Sequence, residues 1–406
     1  MGIEMIEEFN QGTQIKVIGV GGGGGNAVDH MINRGVQGVE FICANTDAQA
    51  LNRSKAHTLL QLGHTGLGAG SRPEAGKASA EEAVDRIKAA LEGAHMVFIT
   101  AGMGGGTGTG AAPVIARLAK DMGILTVGVV TKPFEFEGPR RMKQADTGLN
   151  ELEANVDSLI VVLNEKLLEV LGDDITQEEA FAEANDVLRN AVGGISDIIH
   201  IPGLVNVDFE DVKTVMSEPG KAMMGTATSS GPDRAKKAAE AAVACPLLEG
   251  VDLSGARGVL VLIAASKQNF KLSESRNAMQ TIRRYAAEEA HVIYGTAYDE
   301  SLGDALRVTV IATGLSSGTK VQPVAPQQRV VQVVPPAVGQ RTGTDNIPVL
   351  THPLVDQQRG GGASVGSSSP SVWRPNRTQA AARVDAMASK GMDEIEIPAF
   401  LRKQAD

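Results

Sequence analysis

The chain's 406 residues predict an α/β protein. It is expected to have an N-terminal, Rossmann-like domain on a parallel sheet, a long connecting helix, a smaller C-terminal mixed α/β domain, a disordered linker and a short tail peptide. Three observations lead there. From about residue 14 to residue 163, apolar and often β-branched runs alternate with longer amphipathic segments, and the runs lack the polar alternation of a half-exposed sheet. Beyond Pro202 the pattern changes to shorter mixed pieces. After about Leu315 no hydrophobic period persists. The expected boundaries are 1–13 for a flexible N-terminus, 14–175 for the first domain, 176–202 for the connecting helix, 203–315 for the second domain, 316–390 for the linker and 391–406 for the tail.

In chain order, QIKVIGV, VEFICAN, HMVFIT, ILTVGVVT and SLIVVL read as strands of a sheet covered by helices on both faces. AEEAVDRIKAALEG is expected as one helix with Ala83, Ile87, Ala90 and Leu91 on one face and Gly93 as C-cap. GAAPVIARLAK is expected to be a helix with Pro113 in its first turn, where a missing N–H is harmless. Thr176 with Glu179 three residues on makes a capping box. The helix it opens runs toward Pro202 in spite of Gly193 and Gly194. Then DFEDVKTVM reads as a short helix, and KAMMGTATSS, DRAKKAAEAAVA, RGVLVLIAAS, SESRNAMQTIRRYAAEE, HVIYGTAY and ALRVTVIATG build the mixed domain. Residues 316–390 hold eight of the 17 prolines and the only tryptophan, Trp373. DEIEIPAFLRKQAD closes the chain with Ile395, Ile397, Phe400 and Leu401 between acidic and basic residues, a composition suited to presentation to a partner.

A net charge of -10 argues against nucleic-acid binding, which needs a basic face, and 3% aromatic residues are few for base stacking. No apolar stretch reaches a membrane span, and MGIEMIEEFNQ lacks the parts of a signal peptide. A cytoplasmic protein with no direct membrane insertion is expected. Cys43 and Cys245 are too few and too far apart for a redox or metal motif and read as small buried residues.

Two glycine loops follow predicted strands. GVGGGGGNAV, residues 19–28, contains GxGxxG at Gly19, Gly21 and Gly24; GGGTGTG, residues 104–110, leads into the next helix. Without side chains, backbone N–H groups can approach an anion that a helix N-terminus favours. Thr107 and Thr109 add hydroxyls to that cradle. Two such loops at the carboxyl ends of strands in one sheet mark a ligand site. A tight strand-to-helix turn would also explain either loop alone. GSRPEAGKAS, Gly70 to Ser79, fails as a P-loop: it has one residue too many between its glycines, and Ala78 stands where Ser or Thr is required.

GGGTGTG after a strand, GGGGGN upstream and NVDFEDV downstream resemble the tubulin/FtsZ family of GTPases, and its bacterial cell-division members closely, over residues 14–315 and again at IPAFLRK. The resemblance implies that Gly22, Gly23, Gly24, Gly25 and Asn26 contact the phosphates of GTP or GDP. Gly104, Gly105, Gly106, Thr107, Gly108, Thr109 and Gly110 wrap the same phosphates. TKPFEFEGPRR puts Glu137 and Arg141 by the ribose and phosphates, and Asn164, Asn185 and Asp186 match positions that read guanine. Asp208 and Asp211 match the loop whose carboxylates polarise the attacking water, with Mg²⁺ expected at the phosphates. The resemblance further implies head-to-tail homopolymers, a ring at midcell on the inner face of the membrane, and membrane-tethering and regulatory division proteins bound through residues 393–403.

Residue types alone leave other readings open. Glu137 and Arg141 fit a solvated i,i+4 helix pair, Asn185 and Asp186 ordinary helix surface, and Asp208 an N-cap with Asp211 at the third helical position. Two other functions stand beside the GTPase. One is an NAD-dependent dehydrogenase with Asp47 on the ribose, which leaves GGGTGTG and NVDFEDV unexplained. The other is a filament scaffold that does not hydrolyse.

Overall fold

Apolar runs become buried strands where neighbours cover both faces, and among the described residues ten strands join one sheet. The computed structural model describes residues 12–315 except 173, 201–204, 206 and 245–254. Residues 1–11, Pro202, Cys245, the expected linker with Trp373 and the tail lie outside the described residues.

The N-terminal strands are β1 (Ile15–Val20), β2 (Val39–Asn45), β3 (Thr58–Gln61), β4 (Met96–Gly102), β5 (Leu125–Lys132) and β6 (Ser158–Leu163). They stand in the order β3-β2-β1-β4-β5-β6, and each neighbouring pair is parallel. This is the strand order of the doubly wound dinucleotide fold. Val17 of β1 packs among Met31, Leu188 and Ile195. The next residue, Ile18, faces the opposite way among Ile87, Ile115 and Ile99. With both faces buried, each Ile, Leu or Phe contributes about 1.5–3 kcal/mol.

The helices over this sheet are α1 (Gly21–Asn33), α2 (Ala48–Arg53), α3 (Pro73–Glu81), α4 (Val84–Leu91), α5 (Thr107–Asp121), α6 (Pro139–Glu153) and α7 (Asn164–Leu171). The expected single helix over AEEAVDRIKAALEG is in fact two, α3 and α4, broken at Glu82 and Ala83. Ala83, Ile87 and Leu91 stay buried through the break, so the apolar spacing conceals it. A second correction concerns Pro113. Since α5 begins at Thr107, the proline lies inside the helix and leaves the Thr109 carbonyl without its i+4 donor.

The connecting helix α8 (Gln177–His200) runs unbroken for 24 residues, about 36 Å at 1.5 Å per residue. Its capping box is formed: Glu179 N–H donates to Thr176 Oγ1 at 3.2 Å, and Thr176 N–H to Glu179 Oε2 at 3.0 Å. The α9 helix (Phe209–Met216) follows. The second domain then adds β7 (Lys221–Ser230), α10 (Arg234–Val243), β8 (Gly258–Ala265), α11 (Leu272–Arg283), β9 (His291–Tyr298) and β10 (Ala305–Leu315). Here β10 is antiparallel to β7 and β8, while β8 and β9 are parallel. Among the described residues the two halves of the sheet meet through two residue pairs, Leu159 with Lys221 and Ile160 with Ala222. The stronger tie is α8, whose Leu188 and Ile195 share one cluster with Val17 on one side and Leu260, Leu262 and Ile311 on the other.

Candidate active site

The C-terminal ends of β1 and β4 run directly into helices without a capping side chain. Val20 precedes α1 and Gly106 precedes α5, and neither supplies a side-chain acceptor. Each helix therefore leaves its first N–H groups and its positive dipole end free. Gly21, Gly22, Gly25, Asn26 and Thr107 from these two starts line one cavity of about 700 Å³, with Thr46 and Asp47 from the end of β2. Such a polar cavity over two helix N-termini suits a phosphate chain.

The glycines divide into two groups. A Cβ on Gly22 or Gly105 would meet nothing within 4 Å. On Gly19 or Gly24 it would collide with the backbone of Gly24 or Thr100, and on Gly110 with the Pro73 carbonyl. Gly76, in the failed P-loop stretch, likewise allows α3 to lie against the Gly106 carbonyl. Much of the glycine thus permits close backbone packing, and a smaller part faces the cavity. Gly21 and Gly104 have φ of 74° and 93°, a conformation open to glycine and costly for other residues.

The threonines differ from the expectation that both hydroxyls join the cradle. Thr109 is buried at 2% exposure, and its Oγ1 accepts the Gly104 N–H at 2.8 Å. It closes the loop on itself. Thr107 lines the cavity, and its hydroxyl lies 2.6 Å from that of Thr46.

At the end of β5 a 3-10 turn, Glu135–Glu137, precedes α6. Glu137 and Arg141 pair at 3.1 Å, yet the expected solvated pair within one helix is corrected. Glu137 lies in the turn and Gly138, at φ 100°, separates it from α6. Its carboxylate, 12% exposed, also accepts the Phe134 N–H at 2.9 Å. Pro139 opens α6 and leaves Arg141 against the first loop residue, with a Cβ on Gly104 2.6 Å from the Arg141 carbonyl.

Asn164 follows β6, 4% exposed, with its Oδ1 buried and unpartnered. Glu165 beside it accepts the Glu135 N–H at 3.0 Å. The first turn of α8 reaches the same edge, because Phe181 packs edge-on against Phe134 with centroids 5.3 Å apart. Asn185 is one turn further along that face. Asp186 is not ordinary helix surface: His30 and Arg34 of α1 each approach its carboxylate to 3.0 Å. Neither partner was found from the sequence, although Asn26 and His30 stand at i and i+4 on one ridge of α1 and Arg34, four residues on, is its C-cap. Phe181, 37% exposed, was missed as well.

Asp208 and Asp211 lie elsewhere. Asp208 is the N-cap of α9, its Oδ1 accepting the Asp211 N–H at 2.8 Å, as the residue types suggested, and both side chains are exposed. Phe209 beside them packs edge-on against His95 at 6.1 Å, one residue before β4 begins. At the end of α8, His200 lies 2.9 Å from the Thr13 carbonyl, just before β1. The acidic pair therefore sits at the N-terminal edge of the sheet, and the glycine loops at the C-terminal edge. A seven-residue strand such as β4 separates those edges by about 23 Å.

Two groups near the cavity are committed. Asp47 N-caps α2, its Oδ1 accepting from Gln49 N–H at 2.8 Å and from Ala50 N–H at 3.4 Å. Cys43 is buried. Desolvation, only partly offset by a hydrogen bond with Ser54, raises its thiol pKa above the ordinary value, so it stays a neutral thiol.

Fold and cavity together define a nucleotide-binding protein of the tubulin type. The family description "Tubulin/FtsZ family, GTPase domain" matches residues 14–172, and "FtsZ family, C-terminal domain" matches 220–316. The cell division protein FtsZ of Pseudomonas aeruginosa is 51% identical, with 99% of this chain and 100% of that protein covered. That of Coxiella burnetii is 58% identical, over 77% of this chain and 82% of that protein. Among solved structures, a point mutant of FtsZ from M. jannaschii superimposes with TM-score 0.72 at 43% identity, over 75% of this chain and 92% of that one. An empty FtsZ dimer from the same organism gives 0.71 at 42%, over 75% and 89%. The chain belongs to the FtsZ family. It is a GTPase that binds GTP and GDP and self-associates as a tubulin-like cell-division filament protein. The dehydrogenase alternative is not favoured.

Proposed function

We propose that GTP binds on the α1 and α5 starts and is hydrolysed only where a second copy, stacked head to tail, brings Asp208 and Asp211 to it. The observation that carries this is the placement of the acids and the glycine loops at opposite edges of one sheet. No bending of a single chain closes that gap, whereas a translated copy does. Such a contact joins unlike surfaces and does not close, so it extends into filaments.

In this arrangement the loops Gly22 to Gly25 and Gly104 to Gly110, with Asn26 and Thr107, surround the phosphates, while the N–H groups of Gly104 and Gly110 stay bonded to Thr109 Oγ1 and the Gly106 carbonyl. Glu137 and Arg141 flank the ribose and phosphates, Asn164, Asn185 and Asp186 read the guanine, and Phe181 offers its ring to the base. The neighbour's Asp208 and Asp211 orient the attacking water, in keeping with phosphoryl transfer catalysed mainly by positioning and charge. Among the described residues no three His, Cys, Asp or Glu side chains converge as metal ligands. Mg²⁺ would be carried on phosphate oxygens and water, where it would neutralise phosphate charge. Hydrolysis to GDP weakens the longitudinal contact and lets filaments turn over.

Among the described residues no helix is long and apolar enough to cross a membrane. The filaments form a cytoplasmic ring at midcell against the inner face of the membrane, held by tethers and regulators that bind residues 393–403. The proposed division is 14–175 for the GTP-binding domain, 176–202 for the connecting helix and 203–315 for the second domain, followed by linker and tail.

The test is phosphate release per chain at saturating GTP and Mg²⁺ over a range of protein concentrations. A rate rising from near zero above a threshold is expected. A rate independent of concentration places a complete site in each monomer and removes the role given to Asp208 and Asp211.

A further inference from the structure

We infer that His30, assisted by Arg34, is a positioning residue that sets the selectivity of the site for guanine by orienting the Asp186 carboxylate. This rests on the proposal that Asp186 reads the base. His30 Nε2 lies 3.0 Å from Asp186 Oδ1, and Arg34 donates to Oδ2 at 3.0 Å. The side chains of His30 and Asp186 are 18% and 19% exposed, and that of Arg34 is 52% exposed. One donor on each oxygen fixes the orientation of the carboxylate, and Arg189 Nε stands 3.9 Å from Oδ1, too far to take an acceptor position. An ionised carboxylate has about four acceptor positions, so one remains on each oxygen. Those two form a parallel acceptor pair, the complement of the N1–H and 2-amino donors of guanine.

The placement gives the arrangement a reason. Gly22, Asn26 and His30 recur every four residues along α1, on one ridge of the helix, and Arg34 is the residue that caps its C-terminus. Gly22 lines the cavity proposed for the phosphates, and His30 stands about 12 Å further along the axis. One rigid helix therefore presents backbone donors to the phosphate end and aims the acceptor for the base end. A carboxylate free to rotate on α8 would accept a single donor almost as well as two. Held by His30, it pairs with both only in one orientation. Hypoxanthine lacks the 2-amino group and loses one of those bonds, and xanthine carries an oxygen in its place.

The test uses the full-length chain at concentrations below assembly, with Kd values for GTP, ITP and XTP measured by competition against a fluorescent guanine nucleotide. His30→Ala is expected to lower the ITP-to-GTP Kd ratio by about fivefold or more, a part of what a full hydrogen bond to a charged group is worth. His30→Gln, whose amide can still donate to Oδ1, is expected to recover most of the ratio. Arg34→Ala, on a half-exposed side chain, reads the same ratio without disturbing the core and is expected to lower it less. Asp186→Asn replaces acceptors with a donor and is expected to turn preference toward XTP. If Asp186→Asn changes preference while the His30 and Arg34 variants weaken GTP and ITP equally, or leave both unchanged, the two residues merely tie α1 to α8 and the inference is overturned. If Asp186→Asn leaves the preference for GTP intact, Asp186 does not read the base, and both the reading and the inference built on it fall.

Discussion

At the scale of single residues, two glycines of the same loop do different work. Gly22 is exposed, has open space where a Cβ would go, and lines the cavity. Gly24 is buried, and a Cβ there would run into the Thr100 carbonyl and stand 2.9 Å from the Gly19 carbonyl carbon. Gly22→Ala is expected to leave the melting temperature of the nucleotide-free protein unchanged or slightly raised, since alanine favours helix. Its methyl would stand on the phosphate surface, and the affinity for GTP should fall about tenfold, the worth of one hydrogen bond to a charged group. Gly24→Ala should instead destabilise the nucleotide-free fold by about 1–3 kcal/mol through overpacking. Calorimetry without nucleotide separates the two effects, because bound ligand would raise both melting points. Equal losses of stability in the two variants would refute the division.

At the scale of elements, α8 carries adjacent glycines in its middle, and helix propensity alone would break it there. Packing overrides propensity: Val192 and Ile195 on either side are fully buried. Around Gly193 the nearest atoms to an added Cβ are Val36 Cγ2 at 3.9 Å and Arg189 Cδ at 4.0 Å, which is ordinary contact. Gly193→Ala is thus expected to stabilise the chain by about 0.5–1 kcal/mol, measured as a higher midpoint in urea with unchanged slope. A lower midpoint would mean that the helix needs backbone freedom at this position.

The same elements show what could be read in advance. β1, β2, β4, β5 and β6 were legible because both faces are apolar, and the capping box announced α8. The four-residue edge strand β3, with only Leu60 buried, carries too little pattern to be seen. The start of α5 at Thr107 was hidden because glycine is a poor helix former, and the turn is held by α3, a partner some thirty residues earlier. In the site, the glycine loops declared themselves through composition. The setting of Asp186 did not, since its partners His30 and Arg34 stand 156 and 152 residues away and only the packing of α1 on α8 brings them together.

At the scale of the whole molecule, a site divided between copies makes a demand that no self-contained enzyme makes. Under the shared-site proposal each chain offers a nucleotide pocket at one end and an acidic pair at the other, so an Asp211→Asn chain is expected to lose only the service it performs for its neighbour. Its own pocket still binds GTP and can be served by the acids of a wild-type copy. Wild-type protein held below its assembly threshold should release almost no phosphate, and Asp211→Asn protein alone should release little at any concentration. Mixed, with total protein above threshold, they should release phosphate in proportion to the wild-type chains present, because each wild-type chain stacked on a variant completes one junction. Light scattering on the variant alone checks that it assembles. If the mixture released no more than the wild-type protein by itself while scattering showed filaments, each chain would have to complete its own site. The separation of Asp208 and Asp211 from the glycine loops would then be bridged within a chain by a movement that the length of β4 makes costly.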